Sequence, residues 1–205
     1  DRMKPRVWKV PGVAIMDYPR FGWRGLMLDV SRHFFSKEFV ESYIDEMAKY
    51  KYNVFHWHLT DDNGWRIEIK GLPRLTGVGA WRVPRSGRWG TFSWAALGEK
   101  ATDGGFYTQQ DIRDIVAYAE KRFVTIVPEI DVQAHSLALI AAYPNLSCTQ
   151  LPYAVPLQYG PPGGDNVLCV ANDSTWLILD NIFTQVSPLF PGKYIHAGGD
   201  EANRS

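Results

Sequence analysis

Little in this sequence pulls in one direction. Lysine plus arginine and aspartate plus glutamate both number 22, so the formal net charge is zero, and no general attraction to nucleic acid or an anionic membrane is expected. No run of about 18 apolar residues occurs, which excludes a transmembrane helix by hydropathy. The N-terminal DRMKPRVWKV lacks the apolar stretch of a signal peptide. Only two cysteines are present, Cys148 and Cys169, too far apart for a CxxC redox or zinc pattern. A disulfide closing the Pro/Gly-rich stretch between them and a pair of free buried thiols both stay open. Hydrophobic residues at 45% and charged residues at 21% exclude a disordered or fibrous class, and 205 residues suffice for one sizeable core.

What is present is aromatic surface: 14% of the chain, with eight tryptophans. Flat apolar rings suit core packing and flat-faced ligands such as sugars alike, so this leans only mildly toward a ligand cleft. Pro5, Pro11, Gly12, Pro19 and Gly22 make residues 1–22 an extended lead-in from a preceding domain. WRGLMLDV, 23–30, is of strand length. Ser36 then caps a helix to about Tyr50, with Glu38 near its N-terminus and Phe39, Tyr43, Ile44, Met47 and Tyr50 on one face. NVFHWHL, 53–59, is a second strand. The long loop to about Tyr107 is expected to carry a small strand pair near Arg66–Ile69 and to act as a binding-side excursion.

Thr108 and Asp111 form a capping pair that opens a helix through Arg122, and FVTIVPEI, 123–130, is a third strand. A short helix near His135–Tyr143, a Pro/Gly-rich loop 144–166 and a helix from Asp173 to about Phe190 come next. Trp176, Leu177, Leu179, Ile182, Phe183 and Val186 are expected on that helix's apolar face. The fourth strand is Lys193–Ala197. Such alternation predicts an α/β fold with a parallel sheet and a site at the C-terminal ends of its strands. A complete (β/α)8 TIM-type barrel has eight strands and typically ~250 residues, so 23–205 reads as the first half of a catalytic barrel with about four β/α units.

The chemistry gathers where strands end. YIHAGGDE, 194–201, runs an apolar strand through two glycines into two carboxylates. Glycine admits backbone conformations that can aim Asp200 and Glu201 into one cleft, and two such close carboxyls are expected to split into an acid and a base. Taken alone, the stretch reads equally as a strand with a solvated acidic turn. His56 and His58 alternate onto one face of their strand with Asp61 and Asp62 just beyond. That is a metal-ligand pattern, or two histidines hydrogen-bonded inside a barrel. His135 is a carboxylate-orienting group, a ligand or a satisfied core histidine. Arg32 is a forked donor for hydroxyls or half of a surface ion pair. Together, Arg32, Asp61, Asp131 with His135, and Asp200 with Glu201 come after the ends of four successive strands, which favours the functional readings.

WRGLMLDVSRHFF, YNVFHWHLTDDNGWRIEI, VPEIDVQAHS and HAGGDE, in this order, resemble the catalytic domain of family 20 glycoside hydrolases, the β-N-acetylhexosaminidases. GVAIMDYPRF resembles that family's junction between a small N-terminal domain and the barrel. The resemblance implies exo-acting release of terminal β-linked N-acetylglucosamine or N-acetylgalactosamine by substrate-assisted retaining catalysis, an exception to the two-carboxylate scheme. It implies Glu201 as general acid/base, buried so as to hold its proton, and Asp200 as the residue orienting the acetamido group. Arg32 would grip the sugar's outer hydroxyls, Asp61 and His135 would support the acid, and Arg24 would be structural. It implies a glycan or chitooligosaccharide substrate, no metal and no organic cofactor, and a secreted, periplasmic or lysosome-like compartment.

The chain departs from the family pattern in having Gln133-Ala134 where Pro-Gly is usual, and Ala197 and Ala202 where larger aliphatics are common. The tyrosine and tryptophans that the family's later strands bring to the acetamido pocket have no counterpart here. Two alternatives therefore stand beside the enzyme. One is a half-barrel that binds sugar or self-associates, burying the inner faces of 24–30 and 193–197, without hydrolysis. The other is a metal hydrolase built on His56 and His58.

Overall fold

The computed structural model describes residues 8–158 and 166–202. Pro5 of the lead-in and part of the Pro/Gly-rich loop lie outside the described residues. Residues 8–22 carry no regular secondary structure and are exposed. Arg24, expected to be structural, is: its guanidinium donates to the carbonyls of Lys51 at 2.7 Å and Phe21 at 2.6 Å.

The sheet is built around β2 (Val54–Asp61), flanked in parallel by β1 (Gly25–Asp29) and β6 (Thr125–Ile130). The connections supply helices that cover one face. Ser36 opens α1 (Lys37–Lys49) by accepting from the Phe39 N–H, and Thr108 and Asp111 close a full capping box on α3 (Gln109–Glu120). Val40, Ile44 and Met47 of α1 and Ile112, Ile115 and Val116 of α3 join Phe55 and Trp57 of β2 in the core. Phe39 and Tyr50, expected on the buried face of α1, are exposed.

Side chains alternate across the sheet, so the register defines rows on the opposite face. Met27, His56 and Val127 form one row, and Asp29, His58 and Glu129 the next, toward the strands' C-terminal ends. A parallel bridge aligns His196 with Glu129. This inner face is open at its margins, where Met27 is 51% and Tyr194 60% exposed.

Several expectations require correction. Among the described residues the sheet is mixed rather than wholly parallel, because β3 (Gly64–Trp65) pairs antiparallel with the end of β2; the sheet is open, with no closed barrel. The expected fourth strand, 193–197, is reduced to a bridge: His196 exchanges bonds with Pro128 and Ile130, and Val132 donates to Ala197. It has β6 on one side and, among the described residues, no strand on the other, so regular pairing does not extend. The long loop carries α2 (Pro73–Gly77) and pairs β4 (Trp81–Arg82) with β5 (Asp103–Gly104), whereas only an isolated Ile67–Tyr107 bridge occurs where the small pair was expected.

After α4 (Leu137–Ala142) and a 3-10 turn at Pro144–Leu146, the chain reaches α5 (Asp173–Val186). Its buried stripe is Thr175, Ile178, Ile182 and Val186, while Trp176 and Leu177 face outward. This helix is apolar on more than one side, so periodicity alone does not select the face. Cys148 and Cys169 are disulfide-bonded, which settles the question left open by their spacing.

Candidate active site

The side chains expected to act lie at or just beyond the C-terminal ends of the strands, and they form one continuous chain of contacts. Arg32 Nη2 lies 2.7 Å from Asp61 Oδ2, and its Nη1 lies 3.0 Å from Asp29 Oδ2. Asp61 Oδ1 lies 3.5 Å from His135 Nδ1, and His135 Nε2 lies 3.2 Å from Glu201 Oε2 and 3.9 Å from Asp200 Oδ2. Thus Arg32, Asp61, His135, Asp200 and Glu201, contributed by the ends of β1, β2 and β6 and by the stretch that follows the His196 bridge, are brought together.

Asp61 is the hub. It also takes a hydrogen bond from His58 Nε2 at 2.9 Å and from the Asp62 N–H at 2.6 Å. Burial alone would push its carboxyl up, but the bonds from His135 and His58 and the Arg32 charge outweigh burial and hold it at about 2. His135 is raised to about 11, chiefly by its bonds to Asp61 and Asp62. It is therefore an imidazolium across the physiological range.

A second hub lies one layer deeper and escaped the sequence reading. The buried Glu129 carboxylate receives His56 Nε2 and His58 Nδ1, each at 2.6 Å, and lies 3.0 Å from His196 Nδ1. The Gly198 N–H also points at His196 Nδ1, at 3.0 Å. One nitrogen cannot donate to Glu129 and accept from Gly198 at once, and the ionised carboxylate favours donation. Burial opposes ionisation of Glu129, yet the histidine bonds keep its pKa well below the usual range. His58 has a carboxylate on each ring nitrogen, and although burial pulls it down, those two bonds lift it to about 9. Both its nitrogens therefore carry protons, and the 3.2 Å approach of Arg32 Nη1 to His58 Nε2 is a contact of two cations held by Asp29 and Asp61. His56, Glu129 and His196 each bring one atom within 4.8 Å of the others, a spacing open to a metal. His56 and His58 spend ring nitrogens on Glu129 instead, in keeping with the hydrogen-bonded alternative.

Arg66 was likewise missed as an organiser. Fully buried, it donates to the carbonyls of Val30, Ser31, Ala80 and Gly105 at 2.6–3.2 Å. It thereby ties the loop bearing Arg32 to β4 and β5. Burial and the neighbouring Arg82 lower it to about 10, still a cation at neutral pH.

The last stretch depends on Gly198. Its φ is 64°, and a Cβ there would lie 1.6 Å from Asp131 Oδ1. Both the backbone conformation and the space therefore demand glycine. Gly198→Ala is expected to displace the Asp200–Glu201 turn and to destabilise the protein by about 2 kcal/mol; urea unfolding measures this, and a change under about 0.5 kcal/mol would contradict it. Glu201 itself has φ 51°. Its expected burial is not met: the side chains of Asp200 and Glu201 are 71% and 76% exposed, because no element of the described chain packs over them.

Asp131 is buried beneath this turn and accepts from the Gly199 N–H at 3.3 Å. Burial first, and the Asp61 charge second, raise it to about 7. A carboxyl whose folded pKa exceeds its unfolded value makes the fold bind more protons, so stability falls as pH rises from about 4 to about 7. The slope is at most about 1.4 kcal/mol per pH unit. Asp131→Asn abolishes this term, so its stability relative to the wild type should climb between pH 4.5 and 6.5. Parallel stability curves for the two proteins in that window would refute the assignment.

Comparison with known proteins points the same way. The description "glycosyl hydrolase family 20, catalytic domain" matches residues 21–205. A beta-hexosaminidase of Porphyromonas gingivalis is 46% identical over 192 residues, covering 94% of this chain and 23% of that protein. One from Vibrio furnissii is 47% identical over 195 residues, covering 94% and 31%. Among solved structures, the GH20 beta-N-acetylhexosaminidase from Streptomyces coelicolor A3(2) superposes with a TM-score of 0.76 at 39% identity, over 90% of this chain and 34% of that one. The chain therefore spans between about a quarter and a third of the length of these relatives.

Proposed function

The chain belongs to glycosyl hydrolase family 20, an α/β barrel family, and from that membership we propose that it is the first half of a catalytic barrel, residues 23–205, preceded by a lead-in over 1–22. It carries the acid end of an exo-acting β-N-acetylhexosaminidase site. The observation that supports this most is the unbroken series Arg32–Asp61–His135–Glu201.

In this reading Arg32 grips the outer hydroxyls of a terminal N-acetylglucosamine or N-acetylgalactosamine. Asp200 accepts the acetamido N–H and stabilises the positive charge that develops there. The acetamido oxygen bonds to the anomeric carbon while the bond to the leaving oxygen breaks, and Glu201 gives that oxygen its proton. The resulting carboxylate faces the His135 imidazolium at 3.2 Å, which stabilises the charge just created. Water then attacks the anomeric carbon, gives its proton to Glu201, and the acetamido oxygen is released with retention. The scheme calls on no metal and no organic cofactor. The substrate is a glycan or chitooligosaccharide. The Cys148–Cys169 bond suits a secreted, periplasmic or lysosome-like compartment, and no helix among the described residues is long and apolar enough to cross a membrane.

The test is release of a chromogenic aglycone from an N-acetyl-β-glucosaminide by the purified chain. Hydrolysis that Asp200→Asn abolishes supports the reading, and hydrolysis indifferent to Asp200→Asn overturns the assigned roles. A second reading, a non-catalytic half-barrel that binds sugar or self-associates, is favoured by one observation: Trp23, Met27 and Tyr194 expose apolar surface beside the two sheet margins that have no strand partner among the described residues. Two copies related by a two-fold axis would set the margin at β1 against the margin at 193–197. That reading expects calorimetric binding of N-acetylglucosamine or a dimer by sedimentation, with no turnover.

A further inference from the structure

His135 is held by a turn that its own sequence does not favour. Gln133 has φ 95° and His135 φ 51°, conformations that residues other than glycine seldom adopt. A proline, usual in the family at position 133, could not take that angle. Within the turn a side chain supplies the bond from Ser136 Oγ to the Ala134 carbonyl at 3.0 Å. The turn is fastened from outside. The Leu168 N–H donates to the Gln133 carbonyl at 2.8 Å, and the Ser136 N–H donates to the Asn166 carbonyl at 3.0 Å. Asn166 Nδ2 reaches Asp62 Oδ2 at 3.3 Å, the same oxygen that lies 3.5 Å from His135 Nδ1. Asp62 Oδ1 in turn accepts from the Leu137 N–H at 3.0 Å.

Residues 166–168 thus bracket the His135 turn on its backbone and on its carboxylate partner. That segment is anchored in turn: Leu168 bridges Ser147, the Cys169 N–H donates to the Leu146 carbonyl at 2.8 Å, and Cys169 is covalently joined to Cys148. We propose that the segment Asn166–Leu168, fastened by the Cys148–Cys169 disulfide, is the positioning element that keeps His135 against the site's carboxylates, and that the site is consequently sensitive to the redox state of this bond. The consequence for catalysis rests on the functional reading above; the geometry does not. A dithiol reductant delivers two electrons and two protons to the bond, becoming a cyclic disulfide itself and leaving two cysteine thiols. The clamp then depends on hydrogen bonds alone. His135 is free to drift from Asp61, Asp62, Asp131, Asp200 and Glu201, the carboxyl groups that face it.

The test uses the whole chain, oxidised and reduced with dithiothreitol, with Cys148→Ser/Cys169→Ser as a reductant-free counterpart. On reduction, amide hydrogen exchange at Ser136 and Leu168 should accelerate about tenfold or more, while Ile44 and Ile115 in the core helices stay protected. The His135 ring titration, followed by nitrogen NMR, should shift down by about one pH unit, a tenfold loss of proton affinity. Folded reduced protein with unchanged exchange and an unchanged midpoint overturns the proposal. Should reduction unfold the chain, Asn166→Ala in the oxidised protein decides instead: exchange at Leu137, whose N–H partner Asp62 loses its tether, should rise about tenfold, and no rise overturns the proposal. None of these readouts needs turnover. A chain that shows them yet hydrolyses no N-acetylhexosaminide refutes the functional reading alone, and an active chain that shows none refutes the clamp alone.

Discussion

On the mechanism proposed above, Glu201→Gln should lower turnover of N-acetylhexosaminides with poor leaving groups by about 10²–10⁴-fold, the usual worth of a positioned general acid. An alkoxide is a poor leaving group unless it is protonated as the bond breaks, and glutamine keeps the shape of glutamate but has no proton to give. A nitrophenolate leaves without help, so the first step on an activated substrate should lose far less. What it does lose reports the second role, because water attacking the anomeric carbon still needs a base. The ratio of the two losses is therefore the measurement. Equal losses on both substrates would count against the acid role, and no loss on either would remove Glu201 from the mechanism. His135 at 3.2 Å gives a further handle. In the proposed scheme its imidazolium favours the carboxylate that protonation of the leaving group creates, so His135→Asn should add little to Glu201→Gln if the two act on one step.

Much of this site was legible before any fold was known. β1, β2 and β6 and the helices between them are dictated by apolar runs of strand length and by two capped amphipathic segments, and a parallel sheet gathers the residues just past each strand at one end. That logic placed Arg32, Asp61, His135, Asp200 and Glu201 together. The Glu129 hub was not read, although a signal existed. His56 and His58 share a face by alternation, and a glutamate inside a run as apolar as TIVPEI must find partners once it is buried. What strand periodicity does not supply is the neighbour, since register across parallel strands is set by packing of both faces rather than by any local turn. Arg66 carries the same lesson: a guanidinium between Trp65 and Ile67 is a demand for acceptors, but the carbonyls that meet it come from three distant segments, at Val30–Ser31, Ala80 and Gly105. The buried face of α5 and the reduction of 193–197 to a bridge depend on what packs against them, which no window of sequence contains.

The second large effect is expected at Asp61, which is 2% exposed and faces three cationic groups: Arg32, His58 and His135. Asp61→Asn keeps the volume but removes the charge and turns two amide hydrogens toward donors. Breaking a buried ionic cluster by removing one partner typically costs 3–5 kcal/mol, because the remaining charges stay buried and uncompensated. The pH dependence identifies the origin. Asp61 is held at about 2, below its unfolded value, so its contribution is present above about pH 4 and is lost as pH falls toward 2. His58 and His135 are raised, to about 9 and about 11; their contribution is complete below pH 6.5 and is lost as pH rises through those values. The deficit of Asp61→Asn relative to the wild type should therefore be greatest between about pH 4 and 6.5 and shrink on both sides. Urea unfolding of both proteins across pH 3–9 measures it. A deficit that stays constant with pH would mean that the loss is one of packing or hydrogen-bond geometry, and that Asp61 is not the charge on which Arg32, His58 and His135 converge.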